Sequence, residues 1–307
     1  MKQRELRMNS KRDGGAFVVA GCYALWGCLV LFWNLLSHVD SMFVLSQRIL
    51  WSMILLATIL LLTGQGKVLR DALRDGRTLL LSLACGALVT TNWGVYIYAV
   101  NSGHVLDASL GYFIEPILVG LLGVIVFREK LSVAEKITFV CGVLGLGYML
   151  LTTGQVPALS LLIGGSFAAY GAVKKAVHLS AGMSLFLETL TMAPFALLYM
   201  AYAVTAGGID VGELLPGAKI LLLPAIGVVT TVPLFLFNIG VQKIPYYLAG
   251  ILMYINPTLQ FLLGIFYGGE MLDQNRLVAF SIIWIGVLFT LAEKLRLMIR
   301  QKRMTEK

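Results

Sequence analysis

Residues 108–123 read ASLGYFIEPILVGLLG, and 141 positions later residues 249–264 read AGILMYINPTLQFLLG. Both stretches begin with alanine, carry proline at the ninth position and end in Leu-Leu-Gly. Each places a polar residue, Glu115 or Asn256, directly before its proline. Agreement at several positions with one offset indicates that the chain contains two copies of one structural unit.

Other motifs return at nearly the same offset. Val89-Thr90-Thr91 recurs as Val229-Thr230-Thr231, and Glu129 has a counterpart in Glu270. Ala24-Leu25-Trp26-Gly27 is similar to Ala168-Ala169-Tyr170-Gly171. The alternative is chance similarity between helices rich in Leu and Gly, which would require all these offsets to agree within a few positions by accident.

The composition shows where such a repeat must fold. Of the 307 residues, 58% are hydrophobic and 13% are charged, and the mean hydropathy is +0.84. Soluble domains carry about 25% charged residues. These values exclude a disordered protein, a coiled coil and a nucleic-acid-binding domain. Because one membrane span needs about 20 apolar residues, we predict a polytopic all-α membrane protein.

Apolar runs separated by short polar breaks predict ten transmembrane helices. They form two five-helix repeats, residues 15–153 and 157–294, between a tail of residues 1–14 and a basic tail of residues 295–307. Because five is odd, the second repeat enters the membrane from the opposite side. Inverted repeats are typical of secondary transporters, which bind substrate near the midplane where the repeats meet. The predicted spans are 15–36, 41–63, 79–100, 104–127, 133–153, 157–177, 182–206, 217–238, 246–267 and 276–294.

The positive charges predict the orientation of these spans. With the N-terminus placed in the cytoplasm, 21 of the 24 Lys and Arg residues fall in inside segments. Only Lys219 and Arg276 fall in outside loops, and Arg48 lies within a span. Lys and Arg are enriched in cytoplasmic loops. We therefore predict that both termini are cytoplasmic, and the net charge of +8 requires no nucleic acid.

Three charged residues lie deep in predicted spans, where ionisable groups are costly and usually functional. Arg48 and Glu115 lie on spans that both start outside, so they could pair, or Arg48 could bind an anionic substrate group. A purely structural ion pair is the competing interpretation. Glu115 is also a candidate proton carrier. For Glu188, pairing with nearby Lys174 and Lys175 is favoured over a role as a gate.

Paired prolines point to the same region. Pro116 and Pro257 occupy equivalent positions, and proline interrupts helical hydrogen bonding. Matching interruptions in the two halves of a transporter mark its binding site. Polar and aromatic residues of nearby spans would line that site, although interhelical packing is the commoner role of each one alone. They are Asn92, Trp93, Tyr96, Tyr112, Asn238, Tyr254 and Asn256.

Nothing in the sequence predicts a cofactor or a metal. The four cysteines lie in apolar runs without a C-x-x-C pair, and the three histidines are scattered. There is no nucleotide-binding motif, so a transporter would use an ion gradient or the gradient of its own substrate. An intramembrane enzyme is not favoured, since no paired nucleophile and base lies at membrane depth.

Several motifs together closely resemble the RarD proteins, bacterial members of the EamA group in the drug/metabolite transporter superfamily. They are Ala24-Leu25-Trp26-Gly27, Arg48-Ile49-Leu50-Trp51-Ser52, Thr91-Asn92-Trp93, Ala99-Val100-Asn101, His104 to Pro116, Leu187-Glu188-Thr189, Tyr254-Ile255-Asn256-Pro257-Thr258 and Gly269-Glu270.

The resemblance implies ten helices, inverted repeats and a central cavity in the bacterial cytoplasmic membrane. It also favours export as the direction of transport. Together with the residues above, we expect a secondary transporter of small metabolites or drug-like molecules that works by alternating access, with the substrate, protons and lipid as partners. A channel or a structural membrane protein remains the alternative. Two positions depart from the family pattern: Glu115 stands where Asn is usual, and Gln47 where His is frequent. An acidic group in the cavity would change the charge that a substrate meets.

Overall fold

The computed structural model describes residues 2–36, 38–102, 105–154, 158–206, 209, 215–266 and 274–305. All regular elements within these ranges are helices, so the all-α prediction is confirmed. Glu270, the repeat counterpart of Glu129, and His104 lie outside the described residues.

Thirteen α-helices are present in the described ranges, and one short 3-10 helix, Gly217–Leu221, precedes the tenth. Their bounds are α1 Lys2–Cys28, α2 Val30–Asn34, α3 Ser41–Leu62, α4 Gly66–Arg74, α5 Gly76–Asn101, α6 Val105–Ile125, α7 Val133–Thr153, α8 Ala158–Ala176, α9 Ala181–Thr205, α10 Leu222–Val241, α11 Tyr246–Met253, α12 Ile255–Phe266 and α13 Gln274–Thr305.

Capping residues set several of the helix starts. The Asp40 side chain accepts from Phe43 N at 2.7 Å at the start of α3. Ser132 and Glu135 form a capping box at the start of α7, which ends at Gly154 in the left-handed conformation (φ 76°). Such caps satisfy backbone N–H groups that have no partner within the helix.

Helix α4 was not predicted from the sequence, because it is short and amphipathic rather than apolar. It lies between two long apolar helices, and Asp75 follows it directly. Asp75 accepts hydrogen bonds from the Thr78 hydroxyl and from the backbone N–H groups of Arg77 and Thr78. The Thr78 hydroxyl in particular lowers the pKa of Asp75, and the carboxylate caps the start of α5.

Six helical segments within the described residues are long and apolar enough to cross a membrane, and two further apolar helices are shorter. The prediction of a multi-pass membrane protein is supported, while the number of ten spans stays a prediction. The six are Gly14–Trp33, Ser41–Leu62, Gly76–Ala99, Val133–Thr152, Ala181–Thr205 and Gly217–Val241, and the shorter ones are Gly111–Ile125 and Leu277–Glu293.

The two prolines affect their helices differently. Pro116 lies inside α6, which continues from Val105 to Ile125. The helical segment around Pro257 is divided at Tyr254 into α11 and α12. Pro257 is the third residue of α12, where its missing N–H has no helical partner to lose. A matching helix division in both halves, as the prolines suggested, is therefore not observed.

The helices pack mainly across the two halves of the chain. Helix α3 contacts α9 and α10, α1 contacts α10 and α12, α6 contacts α8 and α11, and α7 contacts α13. Glycines permit some of these close approaches: a Cβ on Gly250 would lie 2.7 Å from the Pro116 carbonyl oxygen, and one on Gly227 2.7 Å from Trp51. Small residues allow membrane helices to approach in this way.

Candidate functional site

A partly open cavity of about 330 Å³ lies between the halves, bounded by α1, α2, α3, α5, α6, α8 and α12. Part of its wall lies at the predicted outer end and consists of Leu29, Val30, Trp33, Leu36, Val39 and Ser41. We call it the central cavity. Seven residues predicted from the sequence line it: Arg48, Asn92, Trp93, Tyr96, Tyr112, Glu115 and Asn256.

Arg48 is held in the central cavity by aromatic rings. Its guanidinium carbon lies 3.6 Å from the centroid of the Trp93 ring and 4.7 Å from that of Trp33. Its Nε donates to Thr230 Oγ1 at 3.2 Å. Among the described residues no carboxylate lies within ion-pair distance of Arg48. The rings and Thr230 therefore fix the group while its terminal nitrogens stay available.

Glu115 occupies the eleventh position of α6 and is 5% exposed. It lines the same cavity as Arg48, yet the two do not form an ion pair. In the described part of the chain its carboxylate also has no hydrogen-bond partner. The carboxylate oxygens are not among the enclosed polar atoms without a partner. This means that they face the open space of the cavity.

Aromatic residues that the sequence had not indicated complete the cavity wall. Trp26 packs edge-to-face against Phe167, with ring centroids 5.7 Å apart, and Trp33 lies against Arg48. Tyr23 also lines the cavity. The repeat motif around Trp26 was a usable signal. Trp33 belongs to none of the repeated motifs, so no local pattern indicated it.

Amide side chains are positioned by hydrogen bonds within the wall. Asn92 Nδ2 donates to the Ile163 carbonyl oxygen of α8 at 2.7 Å. Gln260 Nε2 donates to Asn256 Oδ1 at 2.9 Å, and both residues line the cavity. Gln260 was missed from the sequence, although it is a polar residue one turn after Asn256.

A second, much smaller cavity of about 30 Å³ lies beyond Arg48 and Trp93, which line both spaces. Glu188 borders this second cavity, not the central one. It forms a buried ion pair with Lys174, whose Nζ also donates to Ser184 Oγ at 2.6 Å. Tyr170 donates to the other carboxylate oxygen of Glu188 at 3.4 Å. The charge pairing expected for Glu188 thus involves Lys174 and not Lys175.

Lys175 belongs to a separate group of contacts that joins the two halves. Its Nζ donates to Glu129 Oε1 at 2.9 Å and to the Ile244 carbonyl oxygen at 2.8 Å. Glu129 also accepts from Tyr246 N at 2.7 Å and Tyr247 N at 2.9 Å. A carboxylate here caps the first turn of α11 and meets the positive end of its dipole.

Two predicted residues lie away from both cavities. Asn238 is 1% exposed and its amide atoms have no hydrogen-bond partner within 3.5 Å. Tyr254 points toward α7, where its hydroxyl oxygen would lie 2.7 Å from a Cβ on Gly142. Pro116 lies in α6 and Pro257 in α12, and neither lines the central cavity. Among the described His, Cys, Asp and Glu residues no group could hold a metal ion.

Comparisons with known proteins agree with these features. Residues 13–151 match the EamA-like transporter family. The chain is 35% identical to the uncharacterized transporter YojE of Bacillus subtilis, over 91% of this chain and 94% of that protein. It is 33% identical to protein RarD of Streptomyces exfoliatus, over 98% and 95% of the two chains.

A solved crystal structure has a similar fold, with a TM-score of 0.69 and 16% identity over 91% of this chain and 97% of the other. That similarity concerns the fold alone. The identity with YojE and RarD extends over nearly the full length of each chain. The chain therefore belongs to the EamA-like transporter family and is a multi-pass membrane protein related to RarD.

Proposed function

We propose that this chain is a secondary active carrier that exports small metabolites or drug-like molecules across the bacterial cytoplasmic membrane by alternating access. The carrying observation is the central cavity, in which Arg48 and Glu115 face a space between the two halves. Ligand sites are typically cavities of about 300–1,000 Å³, so this one suits a small ligand. Export rather than import rests on the family resemblance.

The pattern of helix contacts supports two inverted five-helix repeats. In the two proposed repeats α1 corresponds to α8, α3 to α9, α5 to α10, α6 to α11 and α12, and α7 to α13. When each helix is exchanged for its counterpart, the contact of α1 with α10 becomes the contact of α8 with α5. The contact of α3 with α10 becomes that of α9 with α5, and that of α6 with α8 becomes that of α12 with α1. All six of these contacts are present, and α3–α9 and α7–α13 map onto themselves.

The distribution of space and contacts supports alternating access. The central cavity reaches the segment Leu29 to Ser41, whereas at the opposite end Glu129 and Lys175 join the halves through Tyr246 and Tyr247. A carrier exposes its site to one side at a time, and this arrangement corresponds to one of its two states. A channel would need a path through the wall that Arg48 and Trp93 form.

The residues that line the central cavity are the proposed substrate site, with Glu115 as the candidate proton carrier. If Glu115 couples transport to protons, Glu115→Gln will abolish the pH dependence of transport. An unchanged pH profile would exclude that role. Asn238 and Tyr254 lie within the helix packing and would not contact a ligand in the cavity. Glu188 lies beyond Arg48 and Trp93, in the part of the bundle where the pairs Glu188–Lys174 and Glu129–Lys175 lie, which we call the closed end.

The test begins with a thermal-shift screen of small metabolites on the purified full-length protein, since a ligand of the folded state raises its apparent stability. A labelled hit is then followed in proteoliposomes. Saturable flux that is stimulated by unlabelled ligand on the opposite side is expected of a carrier. Linear flux would indicate a channel. Binding without flux, together with lower abundance alone in Arg48→Ala and Glu115→Ala, would indicate a structural protein.

Orientation has its own test. Both termini are proposed to be cytoplasmic, so a C-terminal GFP fusion will fluoresce and a C-terminal alkaline phosphatase fusion will be inactive. The opposite pair of results would reverse the placement of the central cavity relative to the cell.

A further inference from the structure

Helix α4 carries a row of positive charges that the described part of the chain leaves unpaired. Lys67, Arg70 and Arg74 follow one another at spacings of three and four residues, so they lie on the same side of the helix. All three are exposed, and none forms an ion pair with a described carboxylate, including that of Asp71 on the same helix. The basic side of α4 is therefore available to a partner outside the chain.

The other side of α4 is apolar and only partly covered. Leu69 and Ala72 pack into the main hydrophobic core of the bundle. At 3.6 residues per turn, Val68 and Leu73 lie on either side of this pair, and they remain 52% and 40% exposed. Helices with a basic side and a partly uncovered apolar side are typical of the membrane interface.

The neighbouring spans place α4 at the level of the lipid headgroups. Only three residues separate it from the end of α3 at Leu62, and a single residue separates it from the start of α5. Three residues reach at most about 11 Å. Leu61 and Leu62 on α3 and Leu80 on α5 are 74%, 83% and 66% exposed, as expected of side chains that face lipid. The headgroup region is about 5–7 Å deep on each side of a bilayer, so the basic side chains of α4 can reach it.

We infer that α4 binds the phosphate groups of anionic phospholipids through Lys67, Arg70 and Arg74, with Val68 and Leu73 against the first methylenes of the acyl chains. Contacts between a cationic side chain and a phosphate are charge-assisted and strong, and basic segments beside a span are attracted to anionic headgroups. An acidic protein or an RNA would use the charges alone and leave both apolar side chains in water. In the orientation proposed above, the lipid belongs to the cytoplasmic leaflet.

Two lipids with the same acyl chains test this binding on the full-length protein in a non-ionic detergent. Native mass spectrometry measures the Kd of dioleoylphosphatidylglycerol, which is anionic, and of dioleoylphosphatidylcholine, which has no net charge. We expect the anionic lipid to bind about tenfold or more tightly, and the difference to shrink as the salt concentration rises. Equal affinities for the two lipids would overturn the inference.

A triple variant of α4, with Lys67→Gln, Arg70→Gln and Arg74→Gln, assigns the preference to this helix. It should reduce the preference for the anionic lipid to about threefold or less and leave the binding of phosphatidylcholine unchanged. Its unfolding midpoint in lipid-free detergent should equal that of the wild type, because the three side chains are exposed and unpaired. A lower midpoint together with loss of both lipids would mean that these residues support the fold, and would overturn their role in lipid binding.

A second triple variant is the matched control. Lys130→Gln, Lys136→Gln and Lys243→Gln remove three exposed cations from other segments at the same predicted end of the bundle. This control should keep most of the preference for phosphatidylglycerol. If it loses as much as the α4 variant, the attraction belongs to the whole basic end and the assignment to α4 is wrong.

A soluble headgroup separates a lipid site from a site for free anions. Glycerol 3-phosphate carries the phosphate but has no acyl chains to contact Val68 and Leu73, so it should not displace phosphatidylglycerol at equal concentration. Displacement at equal concentration would show that the site takes a free anion, and would overturn the lipid as its partner. Lipid binding by α4 is independent of the proposed carrier function, and flux measurements have no bearing on it.

Discussion

The two ends of the helix bundle use the same types of charged residue in opposite ways. At the central cavity, Arg48 and Glu115 line one space without touching each other. Beyond the wall of Arg48 and Trp93, Glu188 is paired with Lys174 and hydrogen-bonded by Ser184 and Tyr170. Glu115 and Glu188 are similarly buried, so burial alone does not imply the same role.

Whether a buried ionisable residue has a partner separates a structural role from a functional one. Breaking a buried ion pair is strongly destabilising, because the remaining partner is left without compensation. A buried ionisable group that has no partner contributes no such stabilisation, and burying it costs free energy. Substitutions at the closed end should therefore lower the stability of the fold, and substitutions in the central cavity should change ligand binding.

The largest loss is expected from Glu188→Gln, which leaves Lys174 buried without a counter-ion. Losses of about 3–5 kcal/mol are typical when one partner of such a pair is removed. The double variant Lys174→Met with Glu188→Gln should recover much of this loss, because the unpaired charge is gone. Thermal unfolding of the purified protein measures both. If the unfolding midpoint of Glu188→Gln equals that of the wild type, the ion pair with Lys174 does not contribute to the free energy of unfolding.

A smaller loss is expected from Glu129→Gln. The substitution removes the ion pair with Lys175 but leaves an amide oxygen that can still accept from the backbone of α11, so the expected loss is about that of one hydrogen bond to a charged group, about 1.5–3 kcal/mol. Lys175→Gln should cost less, because Glu129 keeps its bonds to Tyr246 N and Tyr247 N. The same unfolding assay ranks the two. If Lys175→Gln is the more harmful change, the helix cap is not the main contribution.

The residues of the closed end show what the sequence could and could not predict. Glu188 was identified from its depth in a span and its lysine neighbours from their place at the predicted inner end of span 6, but the choice of Lys174 over Lys175 depends on the rotation of α8. Glu129 was visible only through the repeat. Its role as a cap for α11 requires the ends of two distant segments to meet, which periodicity does not show.

The central cavity shows the same limit in a different form. Arg48, Asn92, Trp93 and Glu115 were found because polar residues in apolar spans are few. Asn238 satisfied the same criterion, yet the rotation of α10 places it in the helix packing. The tryptophans at positions 26 and 33 were not selected, since aromatic residues in a membrane helix usually face lipid or neighbouring helices.

An intermediate effect is expected for the contacts that hold Arg48. A desolvated cation over an aromatic face is worth about 2 kcal/mol, and the guanidinium lies nearer to Trp93 than to Trp33. Trp93→Leu should therefore lower stability by up to about 2 kcal/mol and Trp33→Leu by less. Unfolding midpoints of the two variants decide the order. If the two variants lose the same stability, the losses come from the packing of the rings and not from their contact with the Arg48 cation.

The smallest effect on stability is expected from Glu115→Gln, although the residue is as buried as Glu188. Its carboxyl group has no partner in the described part of the chain, so substitution by the neutral amide breaks no bond. The unfolding midpoint should stay the same or rise, since burying an ionisable group without a partner costs free energy. Glu188→Gln measured alongside supplies the contrast. A loss as large as that of Glu188→Gln would show that Glu115 holds the fold together and would remove it from the proposed substrate site.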